Sequence, residues 1–184
     1  MRYLKSFLFI SLLVFLTFIG CASVGSEIKN TNIIDIADIS DLGQFLEQKG
    51  YAAIPLSKLF TGHLYLNAEV NGIPARLILD TGAGGTVFDE NSVEKFHFEL
   101  VDSEITAAGA GGVGMSLKTS IIDEFKINDF VVSDFQIYLM NLDHVNEAFG
   151  LLGIEPRDGV IGADILAQGR AIIDYGNMIL YLLK

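Results

Sequence analysis

The sequence predicts a mainly β domain, and three observations carry that reading. Nineteen glycines are spread through 184 residues, and the apolar runs between them are short and end in turn residues. From His63 to Val70 the alternation is clean: Leu64, Leu66, Ala68 and Val70 share one face, and His63, Tyr65, Asn67 and Glu69 the other. Asn71-Gly72 follows at once, the strongest short hairpin signal there is, and Ile73 to Leu79 forms the returning strand. A chain of this length makes one domain plus appendages, with enough residues to bury a sizeable core.

The amino terminus reads as an export signal over residues 1–20. Arg2 and Lys5 give a positive start, and the apolar run Phe7 to Ile19 is shorter than the ~20 residues a bilayer-spanning helix needs. The run ends at Phe18-Ile19-Gly20-Cys21, which resembles a bacterial lipobox, although Leu is usual where Phe18 stands. Cys21 is the single cysteine of the chain, so no intrachain disulfide forms, and it stands where lipidation requires one. The expectation is a lipid anchor at Cys21 in the bacterial cell envelope, with the domain facing the periplasm or the exterior. Ala22 fits the pattern that permits transfer to an outer membrane. The alternative is an uncleaved anchor or a plain secretory signal with an incidental cysteine. Residues 21–39 have no sustained period and read as a tether, leaving residues 40–184 as the folded domain.

Within it, Ser40 can cap a helix over Asp41 to Lys49, stopped by Gly50, and Tyr51 to Leu56 reads as a strand. Beyond the first hairpin, Thr86 to Phe88 is a short strand and Asp89 caps a helix over Glu90 to Phe96. Glu99 to Ala108 is extended, and Gly109-Ala110-Gly111-Gly112-Val113-Gly114 matches the dinucleotide fingerprint in form. That fingerprint needs a helix after its third glycine. Here Met115 to Ile121 alternates at period two, so the glycines form a hairpin tip, cheap to open and with bare peptide groups. A further hairpin joins Ile121–Ile127 to Phe130–Met140 through Asn128-Asp129. His144 to Leu151 is a short helix, Glu155 to Asp158 a turn, and Gly169 ends a short helix that follows Gly162. Arg170 to Tyr175 and Met178 to Leu183 close the domain.

The chemistry concentrates at Leu77-Ile78-Leu79-Asp80-Thr81-Gly82-Ala83. An acid at the end of an apolar strand is poorly placed for a solvated surface. Burial would disfavour its charged form unless hydrogen bonds to the carboxylate oppose that. Gly82 leaves a peptide N–H unobstructed beside it, and Thr81 adds a hydroxyl that donates and accepts. Asp-Thr-Gly alone says little, since a strand-to-loop turn uses the same residues. Other chemistries find less support. A net charge of −11 argues against a nucleic-acid partner. His63, His97 and His144 show no metal-ligand spacing and read as surface or edge residues. Gly-x-Ser-x-Gly is absent, and Ser26-Glu27-Ile28-Lys29, a Ser-x-x-Lys, lies in the tether without companion motifs.

Taken together these residues resemble the retropepsin-like aspartic proteases, in the bacterial branch with a single-lobed domain. Leu77 to Ala83 looks like the catalytic loop of that family. Gly109 to Gly114 sits where its flap tip should be, and Val160-Ile161-Gly162 with the helix after it looks like its hydrophobic-hydrophobic-glycine element. The likeness covers roughly residues 60–184 and departs at Gly84 and Gly85, where retroviral enzymes often carry acids. It implies a closed β-barrel of the acid protease fold, with Asp80, Thr81 and Gly82 as the catalytic residues. It also implies substrate contacts from Gly109, Gly111 and Gly112 of the flap, and no metal or cofactor. The family's mechanism needs two carboxylates sharing a proton. Asp164 and Asp174 lack a Thr-Gly, and the chain is too short for two lobes, so a homodimer would supply Asp80 twice. The resemblance thus implies an aspartic endopeptidase acting on polypeptide. The alternative is a catalytically silent peptide-binding module of the same fold.

Overall fold

The structure, a computed structural model, describes residues 36–109 and 112–184. The expected export signal, Cys21 and most of the tether lie outside these residues, as do Ala110 and Gly111 at the hairpin tip. The chain opens with α1 (Ile36–Gln48), which begins before the expected start at Asp41. No Gly or Pro precedes Gly43 in this stretch, so nothing stops the helix from extending backwards, and Ser40 lies inside it instead of capping it. Gly50, at φ +92°, ends the helix as expected.

The strands follow the predicted order with shifted ends, and the segments expected at Met115–Ile121 and Ile121–Ile127 run together as one strand. The first are β1 (Tyr51–Pro55), an unanticipated two-residue β2 (Ser57–Lys58), β3 (Leu64–Val70), β4 (Ile73–Leu79) and β5 (Val87–Asp89). The expected helix over Glu90 to Phe96 is a 3-10 turn, Glu90–Ser92, running into α2 (Val93–Phe96). Asp89 caps it as expected, its carboxylate accepting from the Asn91 N–H at 3.2 Å. Then come β6 (Val101–Gly109), β7 (Gly112–Ile127), β8 (Phe130–Met140), α3 (Asp143–Leu151), β9 (Gly159–Ile161), α4 (Ala163–Gln168), β10 (Ile172–Asp174) and β11 (Ile179–Leu183). Arg170, at φ +45°, turns the chain before β10, which shortens the strand expected from Arg170.

The expected closed barrel is what forms. The large sheet runs β2-β3-β4-β9-β5-β8-β7-β6, and β3 also pairs with β7, so six strands from β3 round to β7 join edge to edge. Two of the pairings, β4–β9 and β5–β8, are parallel. Asn71 and Gly72 take φ +50° and +77°, the two positive values a two-residue type I′ turn demands. Asn71 then locks that turn to β7, its side chain accepting from the Glu124 N–H at 3.0 Å.

Inside the barrel lie Leu64, Leu66, Ala68 and Val70 of β3, as their alternation requires, with Leu77 and Leu79 of β4. Phe88 is fully buried and meets Phe96 and Phe98 edge-on at 5.6 and 5.3 Å. Each such side chain contributes about 1.5–3 kcal/mol by burial. A separate sheet, β1-β11-β10, packs on the same core. Ala52, Ile54, Leu180 and Leu182 join the core from it, while Tyr181 points to the other face, under Gly43 of α1.

Candidate active site

β4 is an interior strand, held by β3 on one side and β9 on the other, and Asp80 is the first residue beyond it. The ladder runs one step further, since the Asp80 N–H donates to the Ile161 carbonyl at 3.1 Å. One carboxylate oxygen of Asp80 accepts from the Gly82 N–H at 2.8 Å, as the bare glycine peptide suggested. The Ala83 N–H then bonds the Asp80 carbonyl at 3.2 Å, closing a tight loop. Asp80, Thr81 and Gly82 are all exposed in the single chain. This corrects the expectation of a shielded acid. Leu77 and Leu79 turn into the barrel and Ile78 packs on its outer face, while Asp80 stands clear of both.

The loop is fixed by its contact with the segment after β9. Gly162 lies so close to Gly85 that a β-carbon there would stand 2.4 Å from the Gly85 carbonyl carbon and oxygen. Only glycine allows that approach. The Ala163 N–H donates to the Ala83 carbonyl at 2.8 Å, and the Gly162 N–H to the Thr86 hydroxyl at 3.2 Å. Asp164 completes the junction. Its two oxygens accept from the Thr86 N–H and the Thr86 hydroxyl, both at 2.7 Å, and one of them also accepts from the Ile165 N–H at 2.8 Å. By sequence Asp164 reads only as an acid without the Thr-Gly of a catalytic one. Its work is to hold the fully buried Thr86 at the exit of the Asp80 loop. An acid in the first turn of a helix was the signal that could have suggested such a role.

Gly109 and Gly112 fall at a hairpin tip as expected. Gly109 ends β6 and Gly112 begins β7, and the two are paired, while Gly111 lies outside the described residues. The hairpin is irregular, with register shifts between Asp102 and Thr106 and between Ala107 and Ala108. Its outer strand β6 ends the large sheet on one side, as β2 does on the other, among the described residues. No cluster of His, Cys, Asp or Glu among the described residues could hold a metal ion. His63, His97 and His144 are exposed, in keeping with a surface reading. No described helix is long and apolar enough to cross a membrane.

Outside the barrel, α3 covers Ile78, Tyr65 and Val160 with Val145 and Phe149. It is pinned at its start by Asp89, which is buried and accepts from the Leu142 N–H at 3.3 Å and the Asn146 amide at 3.1 Å. Asn146 also accepts from the Arg157 N–H at 2.9 Å. Arg157 is buried under α3, its guanidinium 4.4 Å from the centre of the Tyr65 ring. Burial first, and then the neighbouring Arg76, pull its pKa below the ordinary value. No local pattern announces the Asp89–Asn146–Arg157 clamp, since Asp89 stands 57 residues before Asn146.

Chemically, the site offers one exposed carboxylate with fixed orientation, a hydroxyl and bare peptide groups beside it, and a glycine-tipped hairpin elsewhere on the barrel. The aspartyl protease family model matches residues 66–165, more than half of the chain. Protein DDI1 homolog 2 of Xenopus laevis is 26% identical over 119 residues, 65% of this chain and 28% of that protein. DNA damage-inducible protein 1 of Kluyveromyces lactis is 27% identical over 150 residues, 79% of this chain and 33% of that protein. The chain thus spans about a third or less of the curated relatives it matches. Among solved structures, a retropepsin-like aspartic protease from Rickettsia conorii superposes with a TM-score of 0.51 at 17% identity. The likeness covers 72% of this chain and 91% of that one, and it concerns the fold.

Proposed function

Because the chain belongs to the aspartyl protease family, we propose that it is an aspartic endopeptidase whose site is completed by a second copy, each copy supplying Asp80. The observation that carries this reading is the exposed Asp80 carboxylate, held by the Gly82 N–H at the end of an interior strand. One such acid is half of a proton-sharing pair. Two like charges about 3 Å apart do not both ionise readily, so one carboxyl stays protonated and its partner is a base. The base takes a proton from a water, whose oxygen attacks the scissile carbonyl carbon. The acid gives its proton to the carbonyl oxygen. The tetrahedral intermediate then collapses: its C–N bond breaks, the leaving nitrogen takes the proton from the protonated carboxyl, and one hydroxyl of the intermediate returns its proton to the other carboxylate, which restores the shared-proton pair. Thr81 is proposed to bond across the two-fold axis, and the peptide groups of Gly109, Gly111 and Gly112 to close over the substrate backbone.

Cleavage-site profiling on a peptide library tests the proposal, with a hydroxyl-bearing transition-state mimic as inhibitor. Cleavage that the mimic blocks is expected. A folded protein that binds peptides and cuts none would establish the silent binding module instead. We also propose that Cys21 carries a lipid that tethers the domain to an envelope membrane. Cys21→Ser should then release the protein from the membrane fraction or leave it unprocessed, and unchanged processing with full membrane retention would refute the tether.

A further inference from the structure

The loop that carries Asp80 ends in two glycines, and only the residues flanking them are hydrogen-bonded. Ala83 and Thr86 are tied to the segment after β9, Ala83 by the Ala163 N–H and Thr86 by Asp164. Between them, the peptides of Gly84 and Gly85 make no hydrogen bond among the described residues. Two glycines in succession are a loose link, since each gives up the most conformational freedom on being ordered. Gly84 has open space where a side chain would stand, but Gly85 has not. A β-carbon on Gly85 would lie 2.7 and 3.0 Å from Cε2 and Cδ2 of Tyr138, and 3.6 Å from a carboxylate oxygen of Asp164. The φ of Gly85 is not positive, so the Tyr138 ring, and not the backbone conformation, bars a side chain there. Tyr138 stands on β8 between the fully buried Ile137 and Leu139, and so points to the opposite face. Its N–H donates to the Thr86 carbonyl at 3.0 Å, which roots the half-buried ring beside the loop.

We infer that Tyr138 is a positioning residue: its ring closes on Gly85, stiffens the two-glycine link and so holds the loop that presents the Asp80 carboxylate. The inference rests on the reading of Asp80 as the catalytic acid. Such a hold matters because moving a reacting group by about 1 Å can cost ~10²-fold in rate. It comes from three sides. The Gly162 backbone packs on the Gly85 backbone, Asp164 grips Thr86, and the ring fills the side toward which a Gly85 side chain would point. A tyrosine ring suits the task, being broad and rigid with only two torsions to order. Ring carbons make the contact, so Phe should serve in its place, and Val, which ends at its γ carbons, should not.

The test reads kcat and KM separately on a cleaved peptide, for full-chain variants. Tyr138→Phe should keep both constants within about two-fold of wild type. Tyr138→Val should fold, with kcat down about ten-fold and KM within about three-fold. Gly85→Ala alone should do at least as much damage, because its methyl group meets the ring. In the Tyr138→Val background the same methyl group finds room and stiffens the link, and should restore kcat to within about three-fold of wild type. The inference is overturned by a Val variant with wild-type kcat, by a Phe variant as damaged as Val, or by Ala harming both backgrounds alike. A Val variant that does not fold overturns it too, since the ring would then serve the fold and not the loop. None of these results touches the role of Asp80. Should the wild-type protein cut nothing, amide exchange of Gly82 and Ala83, both hydrogen-bonded within the loop, decides the matter. Exchange about ten-fold faster in Tyr138→Val than in wild type or Tyr138→Phe upholds the hold on the loop, and equal rates refute it.

Discussion

Around Asp80 each neighbour has a separate physical task. Leu77 and Leu79 anchor the strand in the barrel, the Gly82 N–H orients the carboxylate, and Asp164 ties down Thr86 where the loop leaves. Asp80→Asn keeps the size of the side chain and leaves an exposed group exposed. It should therefore hold Tm within about 2 °C of wild type while kcat/KM falls by about 10³-fold or more. A folded variant that still cuts at close to the wild-type rate would remove Asp80 from the mechanism. Asp164 has the opposite profile. Asp164→Ala strips two charge-assisted hydrogen bonds from the buried Thr86, which should cost about 2–4 kcal/mol in urea denaturation. Asn in its place should recover part of that. A loss below about 0.5 kcal/mol would mean that the contact does not hold the loop.

Two junctions between elements carry the site and the three-stranded sheet. The β9–α4 segment passes against Gly85 with no room for a side chain, so Gly162→Ala should cost about 3 kcal/mol or more, or prevent folding. A variant of near wild-type stability would show that the two loops separate easily. Under α1, burial raises the pKa of the Tyr181 phenol, helped by Asp174 and Glu47. The folded chain therefore keeps this proton after the unfolded chain, titrating at about 10, has lost it. Stability should fall as pH rises from about 10 through the folded value, and Tyr181→Phe should flatten that fall in Tm measured against pH. An equally steep fall in the variant would assign it to other groups. At this scale the sequence was legible where a local signal decides. The β3 alternation, the Asn71-Gly72 turn, the Asp89 cap and the Gly50 stop all appear where the residues put them. Contacts made across the fold were not legible. The work of Asp164 depends on Thr86, 78 residues away, and that of Asn146 on Asp89 and Arg157. No local pattern encodes either. The start of α1 is hidden because Ser40 is a good cap residue, yet the stretch before it holds nothing that breaks a helix.

For the whole molecule, barrel closure was legible only through the family resemblance, since the β3–β7 pairing that closes it joins residues far apart in the chain. The exposure of Asp80 was not legible at all, because three apolar neighbours suggested burial and the strand instead sends them to two faces. In the proposed mechanism the exposed Asp80 works with the Asp80 of a second copy, so assembly decides activity. Wild-type chains mixed with Asp80→Asn chains at a fixed total concentration, after time for the subunits to exchange, measure this. If each site takes Asp80 from two copies, equal amounts leave about one quarter of the pairs fully wild type, and activity should fall to about one quarter. If each chain works alone, activity falls only to about one half, and that result would contradict the shared site.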